Sequence, residues 1–310
     1  MASASQLRNR INRQGNDVRR ILVTGASGDV GRKTLLHLLK TRPASDLVAL
    51  VRDSSKAEDL AALGVELRQG DYFDRASLLH AFAGVEKLMM TSTHAFTDRK
   101  TAQGNVIRAA VDAGVEHLVS MSIARKKNST FSMKEITEED LFTEQMLMSS
   151  GLTYTLAYHP PFLDVLAFYI GANACETGVR VPAGSGKFAA ATRDDLAAAH
   201  AAILSGDGHE NKSYTLTGDP SVSFSDIAEI LSNIHGKEVP HTTLSDEAYF
   251  ELKRADGVPD FVVEFACKWV QGMNAGEWED QTGDLEALIG RRAKTAPEFF
   301  RDDFPLSVKR

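Results

Sequence analysis

Residues 21–31 read Ile-Leu-Val-Thr-Gly-Ala-Ser-Gly-Asp-Val-Gly. The apolar run 21–24 predicts a strand buried on both faces, and apolar residues at helical spacing follow the glycines. Gly25 permits a tight turn, Gly28 lets the backbone approach a diphosphate, and Gly31 lets the helix pack on the strand. The stretch predicts a strand–loop–helix unit that binds a dinucleotide at the helix N-terminus, and the alternative is a tight turn without a ligand. Further predicted contacts in this loop are Ser27, Asp29 and Val30.

Strand-like runs alternate with helical segments through the first half of the chain. Strands are predicted at 21–24, 47–51, 65–68, 85–90, 117–121 and 154–158, and helices at 30–39, 57–63, 76–82, 103–113 and 136–149. Strand–helix units of this length require a parallel sheet with helices on both faces, because their crossovers are right-handed. The sequence therefore predicts an α/β protein with a Rossmann-type, doubly wound parallel sheet.

The alternation weakens after about residue 160. The glycine-rich segment 178–187 predicts turns between short strands, and 193–204 and 261–273 predict helices, the second of them mostly buried. Ser225 is the predicted N-cap of another helix. We interpret 161–310 as a smaller, mainly helical lobe on the substrate side, interleaved with a Rossmann core at 20–160, and 1–19 as a flexible tail.

The composition excludes several classes of protein. A net charge of −7 over 310 residues argues against a nucleic-acid partner, and no apolar run is long enough to span a membrane. The two cysteines, Cys175 and Cys267, predict buried, reduced thiols rather than disulfides. The nine histidines show no metal-ligand spacing. We expect a cytoplasmic enzyme, a monomer or a homodimer, that binds a small molecule and no metal.

The end of the second predicted strand bears on the choice of coenzyme. Arg52 follows this strand directly, where a guanidinium can bind a 2′-phosphate, and Lys56 adds positive charge nearby. Asp53, which could bind a ribose hydroxyl instead, is interpreted as pointing away or capping the next helix. The sequence thus favours NADPH over NADH. Other predicted cofactor contacts, which could equally be strand-end caps, follow the next strands: Asp71, Tyr72, Thr91, Ser92, Thr93, Ser120, Met121 and Ser122.

Several segments resemble a known family. The loop 24–31, the segments 50–53, 70–72 and 113–120, and the later segments 143–155, 192–197, 208–214 and 224–228 are similar to the NmrA-like atypical short-chain dehydrogenases. Within that group they resemble the type-2 NAD(P)H:quinone oxidoreductases and triphenylmethane reductases. The resemblance covers roughly residues 20–300 and implies hydride transfer from NADPH to a quinone or a similarly conjugated acceptor.

The resemblance also implies roles for particular residues. The family's arginine after the second strand corresponds to Arg52, and its nicotinamide-side segments correspond to 91–93 and 120–122. After the sixth strand the family commonly has Arg-Asn or Arg-Pro, whereas this chain has Tyr158-His159-Pro160. That position faces the substrate in relatives, so this departure bears on the choice of acceptor.

The chain lacks the proton donor of ordinary alcohol dehydrogenases. Where a Tyr-x-x-x-Lys pair would stand, residues 134–140 form an acidic run. A reduced quinone is phenol-like, with a pKa of about 10, and can briefly remain unprotonated. His159 is the candidate proton donor, because an imidazole titrates near neutral pH, and Tyr158 is a candidate hydrogen-bond donor to the acceptor. Either could instead be structural.

Aromatic residues suggest a pocket for a flat acceptor. Phe162, Phe168 and Tyr169 follow the sixth strand, and His94 follows the fourth. Such residues are otherwise core or surface-loop positions. The sequence as a whole predicts an NADPH-dependent reductase of quinones or polycyclic conjugated acceptors, for which secondary metabolism is one setting. The alternatives are a non-catalytic NAD(P) sensor and an isomerase or dehydratase on the same scaffold.

Overall fold

The structure, a computed structural model, describes residues 20–304. The predicted flexible tail at 1–19 lies outside the described residues. The strands are β1 (Arg20–Val23), β2 (Leu47–Val51), β3 (Glu66–Gln69), β4 (Val85–Met90), β5 (His117–Ile123), β6 (Thr153–His159), β7 (Val179–Pro182), β8 (Lys212–Thr215) and β9 (His241–Leu244). The α-helices are α1 (Asp29–Leu38), α2 (Glu58–Ala62), α3 (Arg75–Ala81), α4 (Arg99–Ala113), α5 (Glu139–Met148), α6 (Leu166–Ile170), α7 (Ala174–Thr177), α8 (Arg193–Ser205), α9 (Phe224–His235), α10 (Asp246–Ala255), α11 (Asp260–Asn274), α12 (Asp284–Ile289) and α13 (Ala296–Asp302).

Seven of the strands form one sheet, in the order β3-β2-β1-β4-β5-β6-β8. β1 pairs in parallel with both β2 and β4, so Leu22 lies opposite Val48 on one side and Leu88 on the other. All five residues of β2 are buried, as expected for a strand covered on both faces. The predicted Rossmann-type fold is confirmed. The strand order reverses at β1, so the carboxyl ends of β1 and β4 flank the crevice in which open α/β sheets bind ligands.

The chain divides into two compact units that alternate along the sequence. The first comprises residues up to 120 together with 143–155 and 203–211, and the second comprises 121–142, 156–202 and residues from 212 onward. These limits differ from the linear boundary that the sequence suggests at residue 160. The six strands and five helices predicted for the first half are confirmed, with end shifts of a few residues.

The later part of the chain is mainly helical, and the glycine-rich segment contains the short strand β7, which agrees with the prediction and pairs in parallel with β9. Three details of the prediction need correction. β8 joins the main sheet without having been predicted. The N-cap of α9 is Ser223 rather than Ser225, because Ser223 forms a reciprocal capping box with Asp226. α11 is amphipathic rather than mostly buried, since Phe261 is 55% exposed.

The prediction that both cysteines are buried, reduced thiols is confirmed only in part. Cys175 and Cys267 are free thiols, as predicted, but each is half-buried rather than fully buried. Within residues 20–304 no group of three or more histidine, cysteine or acidic side chains is arranged to hold a metal ion. In the same range, no helix combines the length and the apolar composition needed to cross a membrane.

Candidate functional site

The glycine loop closes tightly between β1 and α1. Gly25 adopts a left-handed conformation with φ of +60°, and its carbonyl accepts a hydrogen bond of 2.9 Å from the Gly28 amide. Gly28 is the N-cap of α1 and has no side chain to cap the helix. The start of α1 therefore presents backbone N–H groups and the positive end of the helix dipole.

The loop fits a diphosphate because side chains are excluded from it. A Cβ atom on Gly31 would lie 2.6 Å from the Gly25 carbonyl oxygen and 2.8 Å from that of Thr24, closer than any real contact. A Cβ on Gly25 would overlap the Thr91 hydroxyl. This is the close approach of helix, loop and strand that a dinucleotide-binding turn requires. The residues present are therefore compatible with the coenzyme.

Arg52 and Asp53, either of which could contact the coenzyme ribose according to the sequence, have different surroundings. The Asp53 carboxylate caps the short 3₁₀ turn Ser54–Ala57 and accepts hydrogen bonds from the Ser55 hydroxyl at 2.7 Å and its amide at 3.1 Å. These bonds lower the pKa of Asp53. The capping role predicted for Asp53 is confirmed. The Arg52 side chain is exposed at the end of β2, available to an anion.

A hydroxyl network locks the ends of β1 and β4. Thr24 Oγ1 donates to the Met89 carbonyl at 3.0 Å and accepts from the Thr91 amide at 2.9 Å. The Tyr72 hydroxyl lies beside Thr24 Oγ1 and donates to the Thr91 carbonyl at 2.9 Å. Burial raises the pKa of Tyr72 to about 12, so the phenol stays protonated. Tyr72, predicted as a cofactor contact, thus has a structural role through its hydroxyl group.

The remaining predicted cofactor contacts lie in strand-end loops and on β5. Asp71 closes a local turn by accepting from the Phe73 amide at 2.9 Å. Thr93 accepts from the Thr97 hydroxyl at 3.1 Å, and His94 is exposed beside Phe96. Three further predicted contacts lie on β5, where Ser120 and Ser122 are buried and Met121 is partly exposed. The cofactor roles of these residues stay predictions.

In the second unit, the end of β6 lies against α8. Alternate residues of a strand share a face, so Ala157 and His159 point to the same side. Ala157 packs with Leu196 and Ala199 of α8 in one buried cluster. Small side chains on both elements bring the strand end and the helix close together, which places His159 against α8.

The position and burial of His159 therefore differ from those predicted from the sequence. It ends β6 instead of lying in a loop, is 4% exposed, and its Nε2 lies 2.8 Å from Nε2 of His200, itself fully buried. Burial lowers the pKa of His159 well below that of a free imidazole, and it lowers the pKa of His200 to about 3. The argument that His159 titrates near neutral pH was wrong, because it ignored burial.

Two arginines flank the other predicted acceptor residues of this unit. The Arg125 guanidinium lies 5.3 Å from the centre of the Tyr158 ring, and that of Arg193 lies 5.3 Å from the Phe162 ring. Cations over aromatic faces stabilise the ring positions and make the surroundings electropositive. The half-buried side chains of Tyr158 and Phe162 are thus bordered by positive charge.

Tyr169 and Phe168 lie in α6, which α10 holds in place. Tyr169 is 6% exposed, and its carbonyl accepts from the Tyr249 hydroxyl at 3.1 Å. The Lys253 ammonium donates to the Phe168 carbonyl. Phe168 is 38% exposed. Of the two aromatic residues Phe168 is the more accessible, while the pocket role of Tyr169 stays a prediction.

The acidic run that replaces a Tyr-x-x-x-Lys pair is structural. Residues Lys134–Glu138 form a π-helical turn that leads into α5, and Glu135 pairs with Lys268 at 3.0 Å. The buried Asp140 carboxylate accepts from the Ile123 amide at 2.9 Å and so fixes the end of β5. This segment places no lysine or tyrosine at the end of β5 for proton transfer.

Comparison with known proteins agrees with this geometry. The model of the NmrA-like family matches residues 17–290. The chain belongs to the NmrA-like family. This NmrA-like protein is 37% identical over 279 residues to quinone oxidoreductase 2 of Escherichia coli, covering 90% of this chain and 96% of the relative.

Two solved structures resemble this NmrA-like protein along nearly their whole length. The NADPH complex of an NADPH-dependent quinone oxidoreductase from Escherichia coli gives a TM-score of 0.83 at 36% identity, over 90% of this chain and 97% of the other. The NADP(H) complex of Citrobacter sp. triphenylmethane reductase gives 0.84 at 33% identity, over 90% and 98%.

Sequence reasoning missed three side chains of this NmrA-like protein. They are Arg125, Arg193 and His200. Arg193 and His200 are seven residues apart on α8, so they lie on one helical face two turns apart. For His200, the available signal in the sequence was a histidine within an alanine-rich helix. The role of this histidine depends on its contact with β6, which is distant in sequence.

Proposed function

We propose that this protein is an NADPH-dependent reductase that transfers hydride to a quinone or a polycyclic conjugated acceptor. The observation that carries the proposal is the side-chain-free loop at Gly25, Gly28 and Gly31 beside an exposed Arg52, in a chain similar throughout to a quinone oxidoreductase. We also propose that it acts in the cytoplasm as a monomer or a homodimer.

Residues at the ends of β1, β2, β4 and β5 hold the coenzyme. The N–H groups at the start of α1 bind the diphosphate, and the Arg52 guanidinium binds the 2′-phosphate, which distinguishes NADPH from NADH. The segments at 91–93 and 120–122 contact the nicotinamide side. When bound, the reduced nicotinamide supplies the hydride.

Phe162, Tyr158 and the arginines next to them contact the acceptor. Phe162 and Tyr158 offer aromatic surface to a flat molecule, and Arg193 and Arg125 stabilise the negative charge that the acceptor gains. A reduced quinone is a phenolate, so this electropositive environment favours conjugated carbonyl acceptors over simple ketones, whose alkoxides need a strong proton donor.

The test is NADPH oxidation by the purified protein in the presence of a panel of quinones. We expect turnover with NADPH, weaker turnover with NADH, and a slower rate with NADPH deuterated at the transferred position. Binding of NADPH without turnover of any quinone would contradict the proposal and favour the sensor alternative. Product formation without deuterium transfer would favour an isomerase or dehydratase.

A further inference from the structure

The side chains of His159 and His200 form a pair that is almost sealed from solvent. Their exposed fractions are 4% and 0%, and their Nε2 atoms lie 2.8 Å apart. Within the part of the chain that the structure describes, the Nδ1 atom of each ring is also buried and has no hydrogen-bond partner. Each ring thus uses one nitrogen for the other ring and leaves the second nitrogen unsatisfied.

The number of protons on the pair follows from its burial. Both pKa values are lowered by burial, so both rings are neutral at pH 7 and each carries a single N–H. The bond between the two Nε2 atoms uses the proton of one ring, so the other ring must carry its proton on Nδ1. The pair therefore has one Nδ1–H donor and one Nδ1 acceptor, one on each ring.

Leaving two buried polar atoms without partners is costly. Each unsatisfied buried group lowers the stability of the fold, whereas two apolar side chains of similar shape would avoid that cost. The pair is also adjacent to predicted acceptor residues, since the ring centres of His159 and Phe162 are 5.8 Å apart. Arg193, on the same face of α8 as His200, lies over that Phe162 ring.

We propose that His159 and His200 form a proton relay that protonates the reduced acceptor, an inference that rests on the proposed reductase function. Nδ1 of His159 is buried in the structure, so binding of the acceptor must open a path to it. The acceptor oxygen, an anion after it has received hydride, then takes the proton from this atom. His159 takes a proton at Nε2 from Nε2 of His200, and His200 takes one at Nδ1 from water that reaches the pair during local opening of the protein. One proton enters, one leaves, and neither ring becomes charged.

The relay resets after the product has left. Water supplies a proton to Nδ1 of His159, the Nε2 proton returns to His200, and His200 releases its Nδ1 proton to water. This mechanism needs neutral histidines, so the low pKa values that exclude simple acid catalysis by an imidazolium are compatible with it. His159 is the catalytic residue in this scheme, and His200 acts through it.

The first experiment separates proton transfer from mere positioning. In His200→Gln an amide can still hydrogen-bond to Nε2 of His159, but it cannot accept a proton at one atom and release another. His200→Phe removes the hydrogen bond as well. Stopped-flow absorbance would follow NADPH oxidation and the decay of the hydroquinone anion, with a quinone whose anion absorbs at its own wavelength.

We expect either NADPH oxidation or anion decay to slow by about 100-fold in both variants, the low end of the usual contribution of a general acid. The matched control is His117→Gln. His117, at the start of β5, is as buried as His159, but its ring is hydrogen-bonded at 2.8 Å to Thr155 of β6. This control should leave both rates unchanged. Wild-type rates for both steps in His200→Gln would overturn the relay.

A second measurement does not depend on activity or on the folding of a variant. In ¹⁵N-histidine-labelled wild-type protein without coenzyme, a relay predicts that His159 and His200 each show ¹⁵N shifts averaged between two tautomers. A single fixed tautomer on each ring would overturn the relay. If the wild-type protein reduces no quinone, the proposed function fails, whereas normal turnover with an unimpaired His200→Gln variant removes only the relay.

Discussion

At the scale of single residues, the surroundings of Arg52 and Asp53 bear on the choice between NADPH and NADH. Both residues follow β2, and in sequence either could meet the ribose. The Asp53 carboxylate accepts hydrogen bonds from the amide and the hydroxyl of Ser55, so it caps the following turn. The Arg52 side chain remains exposed. The carboxylate that would favour NADH is thus already engaged, and the cation that favours NADPH is accessible.

Replacing this arginine tests the assignment. We expect Arg52→Ala to weaken NADPH binding by about 10- to 100-fold, because a hydrogen bond to a charged group contributes about 1.5–3 kcal/mol. NADH affinity should change little. Isothermal titration calorimetry with both coenzymes measures the difference. Arg75→Ala, which removes a surface arginine paired with Asp112, is the control. Equal losses for both coenzymes would refute the role of Arg52.

At the scale of elements, reciprocal caps fix where helices begin. α9 starts at a capping box made by Ser223 and Asp226, and α13 starts at one made by Thr295 and Glu298. In each box a hydroxyl accepts from a backbone amide, and an acidic side chain accepts from the amide of the cap residue. These contacts satisfy N–H groups that the helix itself cannot pair.

Two serines at the start of α9 allow a matched comparison of stability. Ser223→Ala should lower the free energy of unfolding by about 1 kcal/mol, since it removes the cap. Ser225→Ala, at the exposed position that the sequence predicted as the cap, should change it by less than about 0.5 kcal/mol. Urea unfolding of both variants measures this. The reverse order would show that Ser225 is the cap.

The capping box of α13 makes the free energy of unfolding depend on pH. Hydrogen bonds from the Thr295 amide and hydroxyl, and the nearby Arg292 cation, lower the pKa of Glu298 to about 2. The ionised carboxylate therefore stabilises the folded state fully above the unfolded-state pKa of about 4.3. That contribution is lost as the pH falls from about 4.3 through about 2.

We expect Glu298→Gln to remove this part of the acid dependence. The amide oxygen of glutamine can still accept from Thr295, so the helix start is kept while the charge is lost. The free energies of unfolding of the variant and the wild type, measured with urea between pH 2 and 6, should converge toward the acid end of that range. Glu229→Gln, an exposed change on α9, is the control and should follow the wild type at every pH. Parallel curves for wild type and Glu298→Gln would contradict the assignment.

At the scale of the whole molecule, the coenzyme should stabilise the native fold. A ligand that binds only the folded state adds about 2.7 kcal/mol at a concentration of 100 times its Kd. We expect NADPH to raise the melting temperature by several degrees in differential scanning calorimetry. The Arg52→Ala variant at the same NADPH concentration should show a smaller rise. A wild-type melting temperature unaffected by NADPH would contradict coenzyme binding.

The sequence alone was sufficient for six of the seven strands of the main sheet, for the glycine loop and for the family. These features depend on local patterns: apolar runs for buried strands, helical spacing between them, and glycines where a Cβ would collide with backbone. β8 was missed because Lys212–Thr215 is short and largely polar, so it carries no strong strand pattern. Ser225 was preferred to Ser223 because two candidate hydroxyls lie two residues apart, and only the geometry chooses between them.

The amino-acid sequence by itself determined the fold class and the strand–glycine loop–helix unit, because each is set by residues close together in the chain. Only the tertiary structure decided that His159 is buried and bonded to His200, 41 residues away, and that Arg193 lies over Phe162. The physical reason is that burial and pairing depend on which elements pack together. Close packing of Ala157 against α8 fixes both the burial and the pairing of His159, and no local sequence pattern predicts this packing.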